Sequence, residues 1–427
     1  MSPGRPTDGP TRKVRGAPVV WNVTVDDPRR HSETRPVDFG AFFAMGFPVL
    51  VLPGIGLPVN EVAPLMVCLL AANRVSTSRE RIPFWFVGGL VAVLTMLTIT
   101  SYLHDVTPVR RLLHVLLYVV LATLLASGRV HIPSAARGLA VGLCTSIVLS
   151  IAGFGPDAYA GRLTGYLGDP NAGGYVVAVL GLVALGLGLR GRLRWALIFL
   201  ALSAVVLTFS RTTLLAVAFA VVWLLIGRRV SLWAGALLVG GMVYVVGHIP
   251  TQLTLFGPFS DRGGSDLLRQ RIIAQEHVDI AHSPIIGNGA GTATVDLQGD
   301  VFFYHSSYLA LQAEGGVVCL VLLVGVIVLT FLSIARMPGD MRNGWLEASL
   351  IALMVCAVNV GEILLELPSA IALGMAMWHR LNATHPAAPP SAPPSGPPLA
   401  VTPEPETATT AERPSRPGAG RRARPGP

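Results

Sequence analysis

Two arginines and a histidine in the long polar stretch inside the chain could together bind an anion. The stretch, 261–316, interrupts a sequence made mostly of apolar runs, and it contains Arg269, Arg271 and, near its end, His305. Arginine binds phosphate through paired hydrogen bonds, and histidine exchanges a proton near neutral pH. At a membrane surface such residues can recognise an anionic, membrane-bound substrate.

The segment LLRQRIIAQEHVDIA predicts an amphipathic helix that lies on the outer surface of a membrane. Arg269 and Arg271 are about 200° apart on such a helix, so only one of them faces a given pocket. On the next helix, Tyr308 shares the face of His305. A histidine alone fits a structural hydrogen bond equally well, but the nearby arginines favour a functional role.

Two further arginines precede this stretch. In RLTGYLGDPNAGG, Asp169 and Pro170 predict a helix N-terminus, whose free N–H groups can also bind an anion. Capping does not explain Arg162 in the same motif. The apolar stretch 194–227 is too long for one span and breaks at Arg211. That arginine either snorkels at a helix end or is a functional cation at the outer interface.

Three acidic residues are expected near the outer ends of apolar runs: Glu61, Glu362 and Glu366. They either belong to a proton path or pair with the outside arginines, and the sequence favours neither interpretation. The four cysteines lie in apolar runs, which predicts no disulfide and no metal site. The sequence also contains no phosphate-binding loop and no Ser/His/Asp arrangement.

Membrane helices are expected to position these side chains. Apolar residues make up 52% of the 427 residues and charged residues 13%, against about 25% charged in soluble proteins. About 20 apolar residues cross a bilayer. We therefore predict an all-α polytopic bundle of about twelve spans. The apolar runs lie at 39–57, 59–73, 84–103, 112–127, 138–154, 172–189, 194–209, 211–227, 231–249, 306–334, 344–362 and 368–381.

The distribution of basic residues predicts the orientation. With the N-terminus inside, most of the 32 arginines and lysines fall in inside segments, which predicts both termini in the cytoplasm and a place in the cytoplasmic (inner) membrane. The spread of the +8 charge over short loops and tails does not indicate nucleic-acid binding. We expect a disordered arm (1–37), a transmembrane domain (38–382) with an outer loop (250–305), and a disordered Pro-rich tail (383–427).

Four motifs occur in an order that resembles the O-antigen ligase and polymerase superfamily. They are GYLGDPN, LTFSR before an apolar span, an arginine upstream of SPIIGNGAG, and HSSYLALQAEGG, and they cover about 160–330. The resemblance implies a GT-C-like membrane fold. It also implies a metal-independent, inverting glycosyltransferase without a cofactor. Such an enzyme moves a glycan from a polyprenyl diphosphate carrier to an acceptor hydroxyl at the outer face of the membrane.

On this resemblance, Arg211 and Arg269 clamp the diphosphate leaving group, and His305 activates the acceptor or contacts the diphosphate. Arg162 and Asn171 are secondary substrate-binding residues. Arg271 and Tyr308 complete the substrate-binding candidates from their positions beside Arg269 and His305. The implied partners are the polyprenyl-diphosphate-linked glycan, an acceptor glycan or other envelope molecule, and the lipid bilayer.

The chain departs from the family pattern in three places. The family's His-Asn pair is His305-Ser306, Cys319 replaces a usual glycine, and the connector reads Gly-Asn-Gly instead of Gly-Val-Gly. These differences concern the acceptor more than the transfer.

Two other functions remain open. In a transporter of a small anion such as bicarbonate, Glu61, Glu362 and Glu366 would matter more than His305. A flippase for lipid-linked glycans is disfavoured, because the outside arginines cluster on one face.

Overall fold

A computed structural model describes the chain between residues 34 and 383, except 53, 55, 158, 160, 249–262 and 283–284. Most of the predicted N-terminal arm, nearly all of the Pro-rich tail and the first part of the predicted outer loop lie outside the described residues. The predictions of disorder for the arm and the tail are therefore untested.

The described residues form thirteen α-helices and one β-hairpin. The helices are α1 (Pro36–Met45), α2 (Val59–Ala72), α3 (Phe84–Leu103), α4 (Val109–Ala126), α5 (Ile132–Ile151), α6 (Pro170–Gly186), α7 (Gly191–Leu207), α8 (Arg211–Ile226), α9 (Leu232–His248), α10 (Gly263–His282), α11 (Ser307–Ala335), α12 (Gly344–Cys356) and α13 (Leu367–Asn382). Short 3₁₀ helices lie at Gly165–Leu167 and Ile363–Leu365. The mainly helical fold is confirmed.

Four helices, α3, α4, α5 and α11, are long and apolar enough to cross a membrane. The other helices at the predicted apolar runs are shorter, so the count of twelve spans stays a prediction. Two runs extend well beyond the ends of their helices: run 39–57 continues past the end of α1 at Met45, and run 344–362 past the end of α12 at Cys356. Pro48, shortly after α1, disfavours continuation of the helix, because proline lacks an N–H group and its ring clashes with the preceding turn.

The hairpin in the outer loop is an element that the sequence analysis did not predict. Strand β1 (Thr294–Leu297) pairs antiparallel with β2 (Asp300–Phe303). The two residues between them, Gln298 and Gly299, both have positive φ, of 64° and 96°. A two-residue turn of this kind matches the twist of a hairpin. The hairpin packs against α10 and closes part of the loop that leads to His305.

One end of the bundle, here called the Asp38 end, holds the start of α1 and the end of α13. Asp38 is 1% exposed and accepts hydrogen bonds from Arg74 at 2.7 Å and from the His131 N–H at 2.9 Å. Nearby, the Arg79 N–H donates to Asn382 at 3.3 Å. The first and last described helices therefore have their outer termini at the same end, as an even number of passes requires.

Helix α11 is interrupted at Gly316, where the backbone has φ 76° and ψ 175°. The connector that follows α10 lies against this break and replaces the missing helical hydrogen bonds. The bonds are Val317 N–H to Ile285 O at 3.0 Å, Asn288 N–H to Ala313 O at 2.7 Å and Gly289 N–H to Glu314 O at 2.9 Å. The glycine-rich motif thus has a structural role, because it satisfies backbone groups that would otherwise be buried without partners.

Replacing Gly316 with alanine is expected to destabilise the protein. Its φ and ψ lie in a region that is accessible almost only to glycine, and a Cβ there would overlap the Ile285 carbonyl. Conformational strain contributes about 1–3 kcal/mol, and overpacking adds about 1–3 kcal/mol.

Thermal unfolding in detergent measures this effect. Gly325→Ala, in the same helix with open space around its Cβ position, is the matched control and should be neutral or slightly stabilising. Equal melting temperatures for the two variants would contradict this account of the break.

Candidate functional site

The loop before α6 presents a capped helix N-terminus, as predicted. The Asp169 carboxylate accepts hydrogen bonds from the N–H groups of Asn171 at 2.8 Å and Ala172 at 3.1 Å. Pro170 occupies the first helical position. The capping interpretation of the GDPN motif is therefore confirmed.

Arg162 connects this loop to the turn between α7 and α8. Its Nε donates to the Thr208 carbonyl at 2.8 Å, and its Nη2 donates to the Asn171 side chain at 3.2 Å. Arg211 is the first residue of α8, directly after this turn, so the predicted helix break at that position is confirmed. The fold thus brings Arg162, Asn171 and Arg211 to the same end of the bundle.

Helix α10 carries Arg269 on its inner side and Arg271 on its outer side. Arg269 is half-buried, and its Nη2 donates to the Asn359 carbonyl at 3.4 Å, whereas Arg271 is exposed. Ile272 is 2% exposed and lies on the inner side with Arg269. As the helical spacing required, only one of the two arginines faces the bundle. Arg271 therefore lies away from the other candidate site residues.

His305 lies between α10 and the turn that follows α12. Its backbone N–H donates to the Glu276 carboxylate of α10 at 2.5 Å. On the other side, the absence of a side chain at Gly361 lets the turn lie directly against the backbone of Tyr304 and His305. Asn359, the partner of Arg269, belongs to the same turn. Arg269 and His305 are consequently held by neighbouring residues of one turn.

The same turn links this pair to the loop around Arg211. Helix α8, which Arg211 begins, packs along α12, whose end leads into the turn. The Tyr175 hydroxyl of α6 donates to the Ile363 carbonyl just beyond this turn at 3.3 Å, which places the first part of α6 beside the turn. The three candidate catalytic residues are therefore gathered at one end, called here the His305 end, opposite the Asp38 end.

Burial and the nearby charge of Arg269 lower the pKa of His305 to about 4, while Asp169 acts in the opposite direction. The imidazole is consequently neutral at neutral pH. At this position desolvation thus outweighs the attraction of the carboxylate. A resting imidazole with this pKa is a weak base, and it becomes a stronger one only if added negative charge offsets Arg269.

The Tyr308 hydroxyl is hydrogen-bonded to another helix of the bundle. Its hydroxyl donates to the Met354 carbonyl of α12 at 2.8 Å. Ser306 caps α11 by accepting a hydrogen bond from the Leu309 N–H at 3.5 Å. Ser306 and Tyr308, which follow His305 in the motif, thus fix the start of α11. The structure gives Tyr308 a role in packing rather than a place beside Arg269.

A second charged cluster lies at the same end, and the sequence analysis did not identify its centre. Arg111 forms ion pairs with Glu314 at 3.7 Å, Glu362 at 3.5 Å and Glu366 at 3.3 Å. Of the two interpretations of the acidic residues, pairing with outside arginines is therefore the one that the structure shows. The sequence signal for Arg111 was only its place at the start of an apolar run.

Glu61 belongs to a neighbouring pair of contacts. It accepts from Arg110 at 2.7 Å and lies 3.3 Å from the His114 ring. Among the described residues, no three His, Cys, Asp or Glu side chains are arranged to hold a metal ion. The chain matches no protein-family model and no curated protein. The resemblance to the O-antigen ligase and polymerase superfamily thus stays a prediction based on its four motifs.

Replacing Arg111 should destabilise the protein far more than replacing its neighbour Arg110. Arg111 is 16% exposed, and its loss leaves three carboxylates without their shared cation, whereas Arg110 is 75% exposed. Removing one partner of a buried ion pair costs about 3–5 kcal/mol, and an exposed pair contributes about 1 kcal/mol or less. Thermal unfolding of Arg111→Met and Arg110→Met measures the difference; similar losses would show that the cluster is not structurally important.

Acidification should destabilise the native protein through His305. The folded pKa of about 4 lies below the ordinary value of 6.5, so the unfolded state binds the proton first as the pH falls. Between pH 7 and pH 5 the melting temperature of the wild type should therefore fall more than that of His305→Gln. Comparing the change in melting temperature of the two proteins cancels the contribution of the other titrating groups. The same change in both proteins would contradict a buried, neutral His305.

Proposed function

We propose that this protein is a membrane glycosyltransferase. It transfers or polymerises a glycan from a polyprenyl diphosphate carrier onto an acceptor hydroxyl at the outer face of the cytoplasmic membrane. The observation that carries the proposal is that Arg269 and His305 both contact the turn after α12, with Arg211 and Arg162 at the same end of an apolar helical bundle. A lipid-linked anion would present its charged group near this end of the bundle.

The arginines suit the leaving group of this reaction. In the transfer, the acceptor oxygen forms a bond to the anomeric carbon while the bond from that carbon to the phosphate oxygen breaks. The electron pair of the broken bond remains on the diphosphate, whose negative charge grows in the transition state. Arg211 and Arg269 would stabilise that charge through charge-assisted hydrogen bonds. Attack opposite to the leaving group inverts the anomeric centre.

His305 would take the proton of the acceptor hydroxyl. Its imidazole is neutral at rest, which is the form that accepts a proton. A bound diphosphate adds negative charge beside Arg269, and this raises the pKa of His305 from its value of about 4. The donor substrate thus makes the histidine a stronger base when the acceptor arrives. In the absence of donor, burial and the positive charge of Arg269 keep the imidazole a weak base.

The orientation follows from the positions of the basic residues. The described arginines at the Asp38 end, among them Arg74, Arg129, Arg228 and Arg380, outnumber those at the His305 end. An excess of basic residues marks the cytoplasmic side of a membrane protein. We infer that the Asp38 end, with both termini, faces the cytoplasm and that the helices form about twelve spans. The His305 end then faces outward, where a carrier-linked glycan would be used.

Transport of a small anion is the alternative of a different class. It depends on Glu61, Glu362 and Glu366, yet these carboxylates form ion pairs with Arg110 and Arg111 at one end of the bundle. Their contacts support a structural role and favour the transferase over the transporter.

Separate alanine substitutions of Arg211, Arg269 and His305 should each lower glycan transfer by about 100-fold or more, because each removes charge stabilisation or proton transfer. The assay uses purified protein, a polyprenyl diphosphate glycan and an acceptor glycan, with EDTA present. Transfer should persist in EDTA. Arg271→Ala is the matched control on the same helix and should retain most activity. Full activity of all three alanine variants would refute the proposed function.

A further inference from the structure

A carboxylate that the transfer chemistry does not use lies beside the proposed site. Glu276 of α10 is 0% exposed. Its Oε1 accepts the hydrogen bond from the His305 N–H at 2.5 Å, and its Oε2 is buried without a hydrogen-bond partner among the described residues. Burying a carboxylate with one oxygen unsatisfied is unfavourable. A residue that filled space alone would be better replaced by an apolar side chain.

Glu276 shares a face of α10 with Arg269. The two are seven positions apart, which brings them within about 20° of each other around the helix axis. Ile272 lies between them on the same inner face and is 2% exposed. One face of one helix therefore carries the guanidinium that contacts the Asn359 carbonyl and the carboxylate that contacts the His305 backbone.

We propose that Glu276 is a positioning residue that sets the placement of His305 relative to Arg269. Arg269 and Glu276 belong to one helix, and Glu276 accepts the hydrogen bond from the His305 backbone. The imidazole and the guanidinium therefore keep the same relative position while substrate binds. The consequence for transfer rests on the proposed function, but the positioning itself does not. Burial raises the pKa of Glu276, and the hydrogen bond from the His305 N–H acts against this shift.

A second acidic residue on α10 provides a matched control. Asp279 accepts a hydrogen bond from the Tyr304 hydroxyl at 3.3 Å and another from Gln275 at 2.8 Å. It therefore helps to dock the same helix on the same segment, but it makes no hydrogen bond to His305. Replacing either Glu276 or Asp279 would loosen the contact of α10 with this segment. Only the replacement of Glu276 would remove the hydrogen bond that places His305.

The test measures the reactivity of each histidine toward diethyl pyrocarbonate, which acylates the neutral imidazole, with mass spectrometry to identify the modified residue. The proteins are the full-length wild type, Glu276→Ala, Glu276→Gln and Asp279→Ala in the same detergent. His277, exposed on α10 next to Glu276, is the internal reference. Loss of a hydrogen bond to a charged group should raise the fraction of molecules in which His305 is exposed to the reagent by about tenfold or more.

We expect the modification rate of His305, relative to His277, to rise about tenfold in Glu276→Ala. Glu276→Gln retains an oxygen that can accept from the His305 N–H, so it should restore much of the protection. Asp279→Ala should resemble the wild type. The proposal is overturned if Glu276→Ala leaves His305 as protected as in the wild type, or if Asp279→Ala exposes it equally.

Transfer assays on the same variants separate this inference from the proposed function. If the wild type transfers glycan, Glu276→Ala should lower kcat more than it raises KM for the donor, and Glu276→Gln should recover part of kcat. If the wild type transfers nothing, the proposed function fails, while the modification rates still decide whether Glu276 positions His305. Should Glu276→Ala not fold, Glu276→Leu takes its place, because leucine keeps most of the buried volume and removes both oxygens; a His305 as protected in that variant as in the wild type overturns the proposal.

Discussion

The backbone carbonyls of the turn that follows α12 are the feature on which the His305 end depends. Carbonyls outside regular helices have no helical partners, and in an apolar bundle other elements must satisfy them. The Ala357 carbonyl accepts from the Ser307 N–H at 2.9 Å, the Val360 carbonyl from the Ser307 hydroxyl at 2.5 Å, and the Asn359 carbonyl from Arg269. One turn thus anchors both α11 and the outer helix α10.

This constraint also explains the small residue in the turn. Gly361 lies against the backbone of Tyr304 and His305, and any side chain there would separate the turn from that segment. Beyond it, Glu362 adopts φ 60° and turns toward Arg111. A left-handed conformation of a residue other than glycine costs about 1–2 kcal/mol, and the ion pair helps to offset that cost. The turn therefore contacts Arg269 on one side and, through Glu362, the Arg111 cluster on the other.

Much of the local structure was accessible from the sequence. The apolar runs located the helices, the Asp-Pro pair marked the start of α6, and the over-long run 194–227 divided before Arg211. The spacing of Arg269 and Arg271 also indicated that only one faces inward. These features depend on residues close together in the chain, where helical periodicity and capping preferences act directly. The lengths of α1 and α12 and the hairpin were missed, because apolar composition alone does not show where a helix ends.

The contacts between distant segments were not accessible in this way. Composition and hydrophobic period are enough to indicate a mainly helical, strongly apolar chain with a polar segment at 261–316, since they fix which groups must avoid water. The contacts of the folded chain show that Arg111 gathers three glutamates, that a glycine-rich connector completes the broken α11, and that Glu276 holds the His305 backbone. The physical reason is that each buried charge or unpaired backbone group must find a partner, and packing alone determines which partner is within reach.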